Sequence, residues 1–292
     1  MDIKEFTEII KERLEERTGL EVRLVEVTKN NSVTLHGINI IVSESSIVPT
    51  IYLEQYLQAY KQGMDLAEIT EDIIRVWERE KKIIHLDVEW FRDFDKVRER
   101  IAYKLVNCEA NKKLLEDVPH VPFLNLVKVY YVSIKLEREG EGTILIHNSH
   151  MDLWNVTAEK LDEAATENTQ KMFPAVIESM EDILQREMPG VGDLLKMTEE
   201  YQLYVASNAA RTYGAAVMCY PNLISEFAKR RNSDFIILPS SVHEILLVPY
   251  DEDIKSFQQM VREVNKTQLQ PEEILSYSVY VYRRATDSIS IA

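Results

Sequence analysis

Cysteine is nearly missing: Cys108 and Cys219 are the two in 292 residues. Two thiols cannot form a disulfide framework, and no four-cysteine or Cys2His2 zinc spacing occurs. Such usage fits a reducing compartment, so the Asn-x-Thr triplets at Asn155 and Asn265 carry no glycosylation signal. Long apolar runs are missing as well. No stretch approaches the roughly 18 uninterrupted apolar residues of a membrane helix. The opening MDIKEFTEIIKERLEERTG is charged where a secretory leader would be apolar. A cytoplasmic protein without a membrane partner is expected. Glycine is scarce, at 8 residues, and neither G-x-x-x-x-G-K-[ST] nor G-x-G-x-x-G occurs. That excludes the usual phosphate-cradling loops, and no cofactor is expected.

An excess of positive charge is the remaining absence. Lys and Arg total 34 against 49 Asp and Glu, a net charge of −15. An anionic chain repels phosphate, which disfavours nucleic-acid binding through a broad basic face. The acidity is concentrated: residues 137–200 hold 15 acidic and 5 basic side chains. Solvated helix faces explain this most simply. A surface that attracts a basic protein partner, or one that imitates DNA, is the functional alternative.

What is present reads as an α+β chain. Ile3, Phe6, Ile9, Ile10 and Leu14 fall at helical spacing and Gly19 follows as a stop. EVRLVEV (21–27) and VTLHGINIIV (33–42) flank an Asn-rich connection and predict a hairpin. Helices are predicted over 51–61, closed by Gly63, and around Leu66, Ile69, Ile73 and Trp77, with Lys81-Lys82 near the end of the second. This α-β-β-α-α unit leads through WFRDFDKV (90–97), read as a connector, into a larger α+β domain. The expected division is 1–95 and 96–292. In the larger part, strands are predicted over 100–106, 124–136, 143–147, 203–207, 214–220, 235–239, 243–250 and 276–284. Helices are predicted over 149–168, broken near Trp154 and recapped by Thr157, and over 177–187, 223–230 and 254–264. PGVG (189–192) would end the second of these. Hairpins mixed with helices point to antiparallel or mixed sheets with packed helices, not regular βαβ winding. Ser278, Tyr280 and Tyr282 alternate with Tyr277, Val279 and Val281, which suits a last strand covered on both faces.

Three clusters invite a chemical reading. Ser240, Ser241, His243 and Glu244 stand together in LPSSVHEILLVP (238–249), the side chains of a hydrolase. A triad needs an acid that orients the histidine while the histidine reaches the serine. Neighbours in a strand point to opposite faces, so His243 and Glu244 should part. No G-x-S-x-G elbow is present, and Leu247 stands where H-E-x-x-H needs a second histidine. The favoured reading is a turn; the alternative is a hydrolase, completed by His150 from another segment. The second cluster is His147, His150 and Asp152, spaced as divalent-metal ligands would be on a helix. Capping by Asn148 or Ser149, with a Ser149-x-x-Asp152 box, accounts for the same residues. The third is the loop from Ser207 to Gly214, where Asn208 and Gly214 suit left-handed positions. Asn148 and Asn208 are possible recognition residues. Tyr280 and Tyr282 resemble a base-stacking pair only in their spacing, and the two cysteines read as small core residues.

VPTIYL (48–53), KLVNCEANKKLLEDVPH (104–120), ILIHNSHMDLW (144–154) and ILPSSVHEILLVP (237–249) stand in this order. Together they resemble bacterial proteins of the domain-of-unknown-function family 5688. The resemblance implies a bacterial cytoplasmic protein of a kind that often accompanies mobile genetic elements. It carries no assigned activity and therefore no catalytic residues. The resulting expectation is a non-enzymatic binding protein that engages a basic partner through 137–200, with a hydrolase and a DNA mimic as alternatives.

Overall fold

The computed structural model describes residues 1–42, 48–80, 88–136, 140–188 and 202–292. Lys81-Lys82, most of the turn after residue 136 and the PGVG stop lie outside the described residues. The chain forms two compact units, Met1–Glu89 and Trp90–Ala292. Its three sheets among the described residues are built from antiparallel pairings. Among those residues, no helix is long and apolar enough to cross a membrane.

In the smaller unit, α1 (Ile3–Thr18) begins where Asp2 accepts the Glu5 N–H at 2.9 Å and ends at left-handed Gly19. β1 (Val22–Thr28) and β2 (Thr34–Ile40) form the predicted hairpin, with Val22 opposite Ile40 and Thr28 opposite Thr34. The helix expected over 51–61 starts later. Ile51 and Tyr52 form β3 (Ile51–Tyr52) beside β2, and α2 spans Glu54–Lys61. Gly37 allows this close approach, because a Cβ there would stand 2.5 Å from Thr50 Cγ2. Helix α3 (Leu66–Glu80) buries Ile69, Ile73 and Trp77 against Phe6, Ile10, Leu14, Ile38 and Leu53.

Helix α4 (Val88–Arg92) begins in the last residues of the smaller unit, and with α5 (Phe94–Val97) it covers most of the stretch read as a connector. Phe94 and Val97 are instead part of the core of the larger unit. A four-stranded sheet is centred on β6 (Leu126–Leu136), as its β-branched and aromatic content leads one to expect. On one side lies β4 (Ile101–Asn107). On the other, β5 (His120–Phe123) pairs with the first part of β6 and β7 (Gly140–Leu145) with the rest. Only Lys112–Leu115 (α6) is helical between β4 and β5. Next come α7 (Asn148–Trp154) and α8 (Ala158–Met172), the latter capped by Thr157 as expected.

The helix predicted over 177–187 is corrected in its first part: Ala175–Ser179 is β8 and only Met180–Glu187 is helical (α9). β9 (Tyr204–Asn208) follows, then a buried 3-10 segment, Gly214–Cys219, where a strand was expected. A short apolar run has no period that separates the two, and the small residues Gly214, Ala215 and Ala216 let the segment pack deep. The chain continues through α10 (Leu223–Arg231), β10 (Phe235–Ser241), β11 (Glu244–Pro249), α11 (Ile254–Thr267), β12 (Tyr280–Arg283) and β13 (Ser288–Ile291). The six-stranded order is β13-β12-β10-β11-β9-β8. Phe235 and Ile237 of β10 enter the main core with α8 and α10, while Ile236 and Leu238 pack under Val261 of α11. Tyr280 and Val279 divide likewise, which explains the unbroken apolar runs.

Candidate functional site

Ser240 and Ser241 close β10, and Val242-His243 makes the tight turn into β11, with Ser241 opposite Glu244. The register shifts between Pro239 and Ser241, so the hairpin is irregular where the motif begins. Its polar groups are committed locally. Ser241 Oγ accepts the His243 N–H at 3.0 Å, and Ser240 Oγ donates to Glu244 Oε1 at 3.2 Å. His243 turns the other way. Its Nδ1 accepts the Tyr213 N–H at 3.2 Å, and its ring stacks on Tyr213 with centroids 5.8 Å apart. That bond leaves Nε2 as the protonated nitrogen of the neutral ring. Among the described residues, no hydroxyl donates to the His243 ring. His150, proposed as its helper, packs against His147, Phe91 and Trp154 instead.

The turn is a docking point for the segment after β9. Ser207 Oγ donates to His243 O at 2.7 Å, Ala215 N–H to Val242 O, and Val242 N–H to Glu273 O. Asn208 is buried at the end of β9, where it accepts the Thr212 N–H and donates to Thr212 O at 2.8 Å. The left-handed residues are Arg211 and Tyr213, not Asn208 and Gly214. Such positions cost on the order of 1 kcal/mol or more each and persist because the surroundings hold them. A cavity of about 200 Å³ lies beside this loop, lined in part by Val176, Val205 and Ser207. Glu178 and Arg211 pair across its rim, and the Arg186 guanidinium bonded to Glu178 holds that carboxyl below its usual range. His243→Ala is expected to cost about 1–2 kcal/mol by orphaning the Tyr213 N–H. Urea unfolding checks this, and an unchanged midpoint would show that the bond is dispensable.

His147 occupies the cap position of α7 where Asn148 or Ser149 was expected. The box accordingly runs from His147 to His150, whose Nδ1 accepts the His147 N–H at 3.1 Å, and not from Ser149 to Asp152. His147 Nδ1 pairs with Asp117 Oδ2 at 2.7 Å, and Asn148 donates to Glu116 O. Asp152 is exposed further along the helix. Among the described residues, no group of three or more His, Cys, Asp or Glu is arranged to hold a metal. Burial among Phe91 and Trp154, then the neighbouring His147, pulls the His150 pKa down. A base whose folded pKa is depressed stabilises the fold above its unfolded pKa, near 6.5, and loses that contribution as pH falls through the folded value. His150→Gln keeps an acceptor at the same helix position and removes the titration. The drop in melting temperature between about pH 7.5 and about pH 5 should shrink in this variant; an identical drop excludes His150 as its source.

The acidic stretch is described over 140–188. Glu159, Glu163 and Glu167 recur on the exposed face of α8, and Lys171 pairs with Glu167 at 2.6 Å. The opposite face carries a polar contact that no motif announced. Asp162 Oδ1 receives Lys128 Nζ at 2.5 Å and Tyr130 Oη at 2.8 Å, fastening α8 to β6. Cys219 lies in the same region, and burial pushes its thiol up to about 12, which makes it inert at neutral pH. Tyr280 and Tyr282 are buried and offer no stacking platform. In the smaller unit, His36 sits between Glu54 and Glu26, at 3.2 Å and 3.6 Å. Glu26 faces His36 directly across the β1–β2 hairpin, whereas the wider fold brings Glu54 of α2 beside it.

The model of a protein family described as a family of unknown function, DUF5688, matches residues 3–284. No curated protein and no solved structure matches the chain.

Proposed function

We propose that this chain, which belongs to the DUF5688 family of unknown function, acts by binding rather than by catalysis, with the outer face of α8 as a contact for a basic protein partner. The observation that carries this reading is the exposed row Glu159, Glu163 and Glu167 on a helix whose inner face is fastened by Asp162. A rigidly held row of carboxylates attracts cations without first having to order itself. Support for a non-catalytic role comes from the P-S-S-V-H-E turn, whose hydroxyls bond to Glu244 and to the main chain while the His243 ring faces Tyr213. The two half-buried cysteines favour a reducing, cytoplasmic setting, and a bacterial source follows from the family resemblance alone.

DNA imitation draws less support. The exposed row holds three carboxylates, Glu159, Glu163 and Glu167, far fewer than a stretch of duplex presents. Lys171 ends the row and pairs with its last member, Glu167. The test is titration of a lysine-rich peptide against Glu159→Gln/Glu163→Gln/Glu167→Gln. A control neutralises three exposed carboxylates elsewhere, Glu12, Glu16 and Glu252. Each rim charge is expected to contribute up to about 1 kcal/mol at low salt, so the first variant should bind several-fold more weakly than the control. Equal losses in both would mean that net charge, not this face, does the binding.

A further inference from the structure

The smaller unit holds the larger of the two cavities described, about 300 Å³, between α1 and the β1–β2 hairpin. His36, Glu26, Glu8, Thr7, Leu24 and Lys4 contribute to its lining. His36 is the ordered element at its base. Glu54 Oε1 accepts the His36 main-chain N–H at 2.6 Å and meets the ring at Nδ1, 3.2 Å away. This double contact sets both the ring plane and the tautomer, with the proton on Nδ1. In the neutral ring the other nitrogen, Nε2, then directs a lone pair at Glu26 Oε1, 3.6 Å away.

Two acceptors facing each other at that distance repel unless a donor lies between them. Carboxylates on two elements, Glu26 of β1 and Glu54 of α2, therefore flank one imidazole, and Glu8 of α1 joins the cavity lining. Lys4 is the only cation among the residues lining the cavity, and it is exposed. Thr7 is buried, and its hydroxyl proton is already given to Lys4 O at 2.8 Å, which leaves its oxygen free to accept. Leu24 supplies an apolar wall.

We infer that this cavity binds a primary alkylammonium group, the ammonium donating to His36 Nε2 and Glu26 while its alkyl stem lies along Leu24. An ammonium has three N–H donors and no acceptor, which is what facing acceptors need. A guanidinium is planar and wider and matches a single carboxylate better than this corner. The group can come from a free aliphatic amine or from a lysine side chain of a protein partner. The inference does not rest on the α8 face, which belongs to the other unit.

Calorimetric titration of the full chain with 1,5-diaminopentane and with a blocked Gly-Lys-Gly peptide tests it. Work at about pH 8 lies above the ordinary imidazole pKa and below that of an alkylamine. Saturable binding of either probe, absent for a Gly-norleucine-Gly peptide, is the expected result. Binding of the diamine alone identifies a free amine as the ligand; binding of the peptide alone identifies a protein lysine. Glu26→Gln, at an exposed position unlike His36, should weaken binding about tenfold, the equivalent of one charge-assisted hydrogen bond. The imidazole 15N signals of His36 should shift at Nε2 more than at Nδ1. The Glu159→Gln/Glu163→Gln/Glu167→Gln variant should bind the probes like the unmodified chain, so failure of the α8 reading leaves this one standing. No saturable binding, an affinity unmoved by Glu26→Gln, or equal binding of the norleucine peptide overturns the inference.

Discussion

Replacing Gly214 by alanine is expected to destabilise the larger unit by about 3 kcal/mol, the upper end of the usual overpacking cost, or to prevent its folding. The reason is steric, not conformational, since Gly214 is not among the left-handed residues. A Cβ at this position would lie 2.1 Å from Ser207 Oγ, 2.4 Å from His243 O and 2.9 Å from Asn208 N. Two of these are main-chain atoms of β9 and of the P-S-S-V-H-E turn, which the surrounding sheet holds in place. The third can rotate only by abandoning its bond to His243 O. Trp154 fluorescence during urea unfolding, with Trp77 replaced by Phe so that the smaller unit is silent, reports the change. Ser207→Ala in the same chain removes one of the three clashes and should recover part of the loss. A Gly214→Ala protein as stable as the parent would show that the turn and the loop do not lock together as described.

The second large effect is expected at Asp162. Its carboxylate takes both the Lys128 ammonium and the Tyr130 hydroxyl, and the Lys128 and Asp162 side chains are 14% and 27% exposed. Asp162→Ala strands a mostly buried cation and an unpaired hydroxyl, at an expected cost of about 3 kcal/mol. Lys128→Met in the same chain should return most of that, because removing both charges avoids the desolvation that a lone charge incurs. The same fluorescence assay measures all three variants. A single-variant cost under about 0.5 kcal/mol, the range of exposed pairs, would mean that water already reaches the contact. The result also bears on function, since this contact holds the acidic face of α8 steady.

Much of the architecture was legible because it is written in local periods. The helical repeat from Ile3 and the Gly19 stop reappear as α1, and the Thr157 cap as the start of α8, which runs past the expected end at Asn168 to Met172. The β1–β2 and β10–β11 hairpins follow from β-rich or apolar runs around turn residues, whereas His243 lies in the turn and not in the strand expected to begin there, so the turn sets its separation from Glu244. The errors fall where local pattern is ambiguous. Ile51-Tyr52 and Ala175–Ser179 run directly into helices, so a single apolar stretch covers two states. The strand β13, SISI, is short and mostly exposed at a sheet edge, and has little hydrophobic signal to read.

The amino-acid order by itself determined most of the helices and strands, which of their faces are apolar, and that a turn joins the two strands around residues 240–244. These are properties of neighbours within a few residues, governed by backbone geometry and side-chain period. Only the tertiary structure decided that His243 supports Tyr213, that Gly214 must lack a side chain, that Asp162 clasps Lys128, and that His36 stands between Glu26 and Glu54. Apart from the short step from Gly214 back to Ser207 and Asn208, such contacts join residues from 10 to more than 30 positions apart in the chain, and their free energy exists only once packing has brought those residues together.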